Sequence, residues 1–102
     1  MNKTEICDLL VKQGIIEGDN RGYVIPGEYH RFVTAHVIAS DPRVAMAVME
    51  KMPNDEILIW QQKYPDDSPV WIVETSRINV DGRNENLSAA IIEAYCEAVK
   101  DD

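Results

Sequence analysis

The segment from Leu87 to Lys100 constrains the fold more than any other part of the chain. Leu87, Ala90, Ile91, Ala94, Tyr95, Ala98 and Val99 recur at steps of three and four residues, the period that lines up side chains on one face of an α-helix. Ser88, Glu93, Glu97 and Lys100 fall off that stripe. Asn84 or Asn86 supplies an N-cap, and the alanines predict close approach to a sheet. A stripe this wide has to be covered by other elements of the same domain.

The remaining elements are read around that helix. Residues 3–13 predict an opening helix, with Asn2 as cap, Glu5 three residues on, an apolar stripe of Ile6, Leu9 and Leu10, and Gly14 as the left-handed stop. Ile15-Ile16 and Tyr23-Val24-Ile25 flank a Gly/Asp/Asn-rich turn and predict a hairpin. Phe32 to Ala39 reads as a further strand, although Ala35 and His36 interrupt its pattern. Ser40 or Asp41 caps a second helix, Pro42 fits its first turn, and Pro53 ends it. Its apolar side is Val44, Ala45, Val48, Met49 and Met52. Ile57 to Trp60 and Val70 to Val73 predict two strands joined through Pro65 to Pro69. Their continuous apolar starts predict burial on both faces. Asp81 to Asn84 reads as a turn. Together these predict one α+β domain over residues 1–102, an α-β-α sandwich in which a small antiparallel sheet is flanked by helices on both faces.

Charge restricts the partners. The chain carries 18 acidic and 10 basic residues, a formal net charge of −8. Residues 1–51 hold six basic and seven acidic side chains, and residues 52–102 hold four and eleven. An acidic surface repels phosphate backbones and disfavours nucleic acid as a partner unless the few arginines cluster locally. No apolar run reaches membrane-spanning length. Cys7 and Cys96 lack any CxxC or Cys/His ligand spacing and read as buried free thiols. With free thiols and no basic-then-apolar leader, the cytoplasm is the expected compartment.

Asp41-Pro-Arg-Val-Ala-Met-Ala-Val-Met-Glu-Lys-Met52, the two-stranded segment after it with Trp71 in its second strand, and the alanine-rich stretch from Asn86 to Val99 together resemble the phage ABA-sandwich domain, a family of small tailed-phage and prophage proteins. The resemblance covers about residues 38–100, the opening helix matching less closely. It implies an α-β-α sandwich and a viral origin, and it carries no catalytic residues over.

Chemistry-bearing motifs are sparse. His30 and His36 fall in neither HExxH nor HxH spacing; no metal and no cofactor is expected, and His36 reads as a partly buried strand residue. No serine sits in GxSxG, and Gly18 to Gly22 is not a phosphate loop. The chain therefore reads as a binding protein rather than an enzyme. Arg21, Arg31, Arg43, Arg77 and Arg83 fall at turns, helix starts and strand ends, where free N–H groups suit an anion. With Tyr23 and His30 they form the candidate site for a small anionic ligand such as a nucleotide-derived host signal, which a phage protein would hold against host defence. Tyr29 and Phe32 are further aromatics able to stack on a base. The alternative is an acidic inhibitor or immunity-like protein docking on a basic host or toxin protein through Asp66, Asp67, Glu93 and Glu97. A third class is a structural or assembly-related phage protein forming a homo-oligomer. Trp60 and Trp71 are either core or interface residues.

Overall fold

The computed structural model describes residues 1–28, 31–52, 57–63, 65–66, 68–75 and 81–100. Among these residues, four helices and two three-stranded antiparallel sheets follow the order α1 (Lys3–Lys12), β1 (Glu17–Asp19), β2 (Gly22–Val24), β3 (Phe32–Val33), α2 (Ala35–Ile38), α3 (Pro42–Glu50), β4 (Ile57–Gln62), β5 (Val70–Thr75), β6 (Asp81–Asn84) and α4 (Leu87–Val99). This is the α+β sandwich that the sequence predicts. None of the described helices is long and apolar enough to cross a membrane.

The helix ends are set locally. Asn2 accepts the Glu5 N–H at 2.8 Å and caps α1, and Gly14 follows at φ 76°, a left-handed position that favours glycine. Asp41 accepts the Arg43 N–H at 2.8 Å ahead of Pro42 and caps α3. Asn86 accepts the Ala89 N–H at 3.0 Å and caps α4. Each capped donor would otherwise have no partner within its helix.

Two predicted elements are replaced. Phe32 to Ala39 is not one strand: β3 spans two residues paired with β2, and the chain then turns into α2. Ile38, the largest apolar side chain of α2, is fully buried there, and the Ala35 carbonyl lies 3.7 Å from the Cys7 Sγ. Tertiary burial thus overrides β-propensity, and His36 becomes an exposed helical residue rather than a half-buried strand residue. Asp81 to Asn84 is not a turn: it is β6, pairing with β5 in the register Ile72↔Arg83 and Val73↔Gly82. The hairpin around residue 20 forms as β1 and β2, with Ile15 and Ile16 buried ahead of it.

Helix α4 is the most enclosed element. Besides the predicted stripe, Ala89, Ile92 and Cys96 form a second buried face. One side packs on β5 and β6, and the others meet α1 and α3. The second sheet has the order β4-β5-β6, so β4 is an edge strand. Burial on both faces, predicted for both strands, holds only for β5, where the adjacent Ile72 and Val73 are fully buried. On β4, Leu58 is 58% exposed and Trp60 39%. These two lie on the opposite face of the sheet from Val73 and Gly82, the residues that meet α4. Trp71, on the α4 side, packs against the core, so the two tryptophans have different surroundings.

Cys7 and Cys96 are buried free thiols, as predicted. Burial pushes both up to about 12, helped by Asp8 at Cys7 and by Cys7 itself at Cys96. Both thiols should therefore stay unreactive to a disulfide reagent at pH 8 until the protein unfolds. For an acid raised in the fold, the associated stability is complete below the ordinary value of 9.0 and is lost as pH rises toward 12. Fast labelling of either thiol in the native protein would contradict this burial.

Candidate functional site

A cleft of about 620 Å³ opens where the N-terminal ends of α1 and α4 border the joint between α2 and α3. Its size falls within the range of small-molecule sites. Helix α1 contributes Asn2, Lys3 and Thr4, with Ile6 below them; the joint contributes His36, Ala39 and Ser40. From β6 and α4 come Asn84, Asn86, Ala89 and Glu93. Asn86, Ala89 and Glu93 share one side of α4 because they are three and seven residues apart.

Lys3 Nζ donates to His36 Nδ1 at 2.6 Å. The imidazole accepts this bond as the tautomer with its proton on Nε2, which leaves that N–H available as a donor. On the other wall, Asn84 Nδ2 donates to Glu93 Oε1 at 3.1 Å, while Asn84 Oδ1 accepts the Asn86 N–H at 2.9 Å. Burial pushes the Glu93 carboxyl above its ordinary value, against the opposing bonds from Asn84 and the Arg83 N–H. The cleft therefore joins a cationic rim, two positive helix ends and a carboxyl biased toward its neutral form.

That bias has a sign. A carboxyl raised in the fold favours stability below its ordinary value of 4.5 and costs stability as pH rises through the raised one. Glu93→Gln keeps an acceptor for Asn84 and removes the half-buried charge, so it should raise stability at neutral pH and flatten the stability profile above pH 4.5. A loss of stability in urea titrations at pH 7 would contradict it.

The residues singled out in the sequence are distributed differently. Arg21 bonds to Asp19 at 2.7 Å and lies 4.3 Å over the Phe32 ring. The Tyr23 hydroxyl donates to Asp8 at 2.9 Å; burial and this bond raise its phenol above the ordinary value. Arg21 lies in the turn between β1 and β2, and Tyr23 lies on β2. Arg43 reaches Glu28 at 2.6 Å and Asp41 at 3.2 Å. Burial pushes Asp41 up, but the side-chain and backbone bonds from Arg43 outweigh it and hold the carboxyl below its usual range. Arg31 is exposed before β3, and Arg83 is exposed on β6. Of the acidic set, Asp66 is exposed, Glu97 bonds to Lys100 at 2.6 Å, and Glu93 lines the cleft. His30, Arg77, Asp67 and Tyr29 lie outside the described residues.

Of the described residues in this set, Glu93 alone is among those lining the cleft. Lys3, His36 and Asn84 escape a search by motif because they come from three distant segments and share no spacing. The asparagine caps are the legible signal, since each marks a helix start. The chain matches no protein-family model, no curated protein and no solved structure.

Proposed function

We propose that this chain is a non-catalytic binding protein of phage type that holds a small anionic ligand in the cleft between α1 and α4. The pairing of Lys3 with His36 beside two helix N-termini carries this proposal. An anionic group meets Lys3, the His36 Nε2–H and the helix ends, while a donor on the ligand meets the Glu93 and Asn84 side. A nucleotide-derived molecule has both an anionic and a hydrogen-bonding end, and sequestering one would counter a host signal. Tyr23 and Phe32 are not among the residues that line the cleft, so recognition here works through charge and hydrogen bonds rather than stacking. Binding, rather than catalysis, is favoured because Lys3 occupies the one lone pair of the neutral His36 ring, which leaves it no base function. Docking on a basic partner through the acidic set gains less support, since Glu93 and Glu97 are engaged within the chain.

Calorimetry and thermal shift against inorganic phosphate and linear and cyclic nucleotides test the proposal. Lys3→Ala and His36→Ala should each weaken binding about tenfold or more, the scale of a lost charge-assisted hydrogen bond. Arg21→Ala should leave binding unchanged. No heat and no stabilisation by any of these anions up to about 1 mM, a Kd worth about 4 kcal/mol, would sink the proposal.

A further inference from the structure

We propose that β4 is an interface through which two copies of this chain join their second sheets into one continuous antiparallel sheet. Strand β4 lies at the edge of the sheet, pairing through Ile57↔Thr75 to Gln62↔Val70 with β5 on one side. Among the described residues no strand pairs with its other edge, whose backbone N–H and C=O groups an added strand satisfies. Proteins commonly protect such edges with charge, proline or a bulge. The sequence Ile57-Leu-Ile-Trp-Gln-Gln62 has no charge and no proline, and its pairing with β5 is continuous.

Exposure concentrates on the same strand. Leu58, Ile59 and Trp60 are 58%, 36% and 39% exposed, and being consecutive they place apolar surface on both faces of the edge. The charge distribution selects a second copy as the occupant. In a chain of net charge −8, β4 holds no ionisable side chain. It offers a basic partner nothing to attract, whereas two acidic copies meet along a strand where no like charges face each other.

A two-fold axis perpendicular to the sheet fits this edge. Such a rotation makes the two β4 strands antiparallel and keeps each sheet face on its own side, so residues pair like face to like face. Centred on Ile59, it sets Ile59 against its symmetry mate and Leu58 of each copy against Trp60 of the other. Exposed apolar side chains then become cross-strand pairs. None of the residues lining the cleft lies on β4, so failure of the ligand proposal leaves this one standing.

Sedimentation velocity on the full chain from about 1 to about 300 µM, in low and high salt, tests it. The expected species has twice the chain mass of 11.6 kDa. It should tighten with salt, which screens repulsion between the acidic bodies. Leu58→Lys places its ammonium opposite Glu74 within the sheet, which preserves the fold, and should weaken the dimer at least about tenfold. Trp60→Lys should do the same, with melting temperatures reported for both variants. A monomer throughout the range, a dimer indifferent to both substitutions, or one that dissociates as salt is raised would each overturn the proposal.

Discussion

Gly82→Val should be the most damaging single change on the second sheet, lowering stability by more than about 3 kcal/mol, the upper end of the usual overpacking range. A Cβ at Gly82 would meet the Ala90 carbonyl oxygen, and it would stand 2.7 Å from the Ala94 N and 3.0 Å from the Ala90 carbonyl carbon. All three are backbone atoms of α4 and cannot swing aside as a flexible side-chain tip can. Either the helix lifts from the sheet or β6 leaves its register with β5. Both routes uncover Val73, which is fully buried. Gly14→Ala separates this effect from a general intolerance of glycine replacement. Gly14 has a φ of 76° with nothing within 4 Å of an added Cβ, so its cost is left-handed strain alone, about 1–2 kcal/mol. Equal urea midpoints for Gly82→Val and the wild type would show that β6 does not pack on α4 as described.

Ile92→Ala is expected to cost about 3 kcal/mol, within the range for removing a buried aliphatic side chain from a packed core. Ile92 is fully buried on the second face of α4, which the predicted stripe omits. Were α4 an ordinary amphipathic helix with one side in water, this substitution would be nearly neutral. Ser88→Ala is a contrast at a half-buried position of the same helix and should change stability by less than about 1 kcal/mol. Chemical denaturation of the two variants thus distinguishes a surface helix from a central one. A loss below about 1 kcal/mol for Ile92→Ala would mean that the second face is not packed.

Legibility in the sequence tracked how local the cause was. The start of α3 was readable because Asp41 and Pro42 act within one turn, and the end of α1 because Gly14 takes the left-handed turn there at no steric cost. The alanines at 90 and 94 announced a close approach, and the backbone beside them is what Gly82 admits. What the helix approaches was not readable, since Asp81-Gly-Arg-Asn has the composition of a turn and becomes a strand through pairing with β5. Likewise β4 and β5 have similar apolar starts, yet one exposes Leu58 and Trp60 while the other buries Ile72 and Val73. An edge and a centre differ in neighbours, not in composition.

The arginines illustrate the same limit at the site. Arg21 and Arg43 stand where the sequence placed them, beside a turn and a helix start. Their ion pairs with Asp19, Asp41 and Glu28 emerge only once the chain is folded. The pair at Lys3 and His36 spans 33 residues, and no periodicity links them.

The sequence by itself determined the α+β class, the boundaries of α1, α3 and α4, and the acid-rich second half, because propensity, capping and net charge act over a few residues or add up without reference to the fold. Tertiary structure alone decided that α4 is buried on two faces, that Asp81 to Asn84 extends a sheet, and that Lys3, His36, Asn84 and Glu93 border one cleft. Those outcomes depend on which distant segments share a surface, and burial and long-range pairing settle that only after the chain has closed on itself.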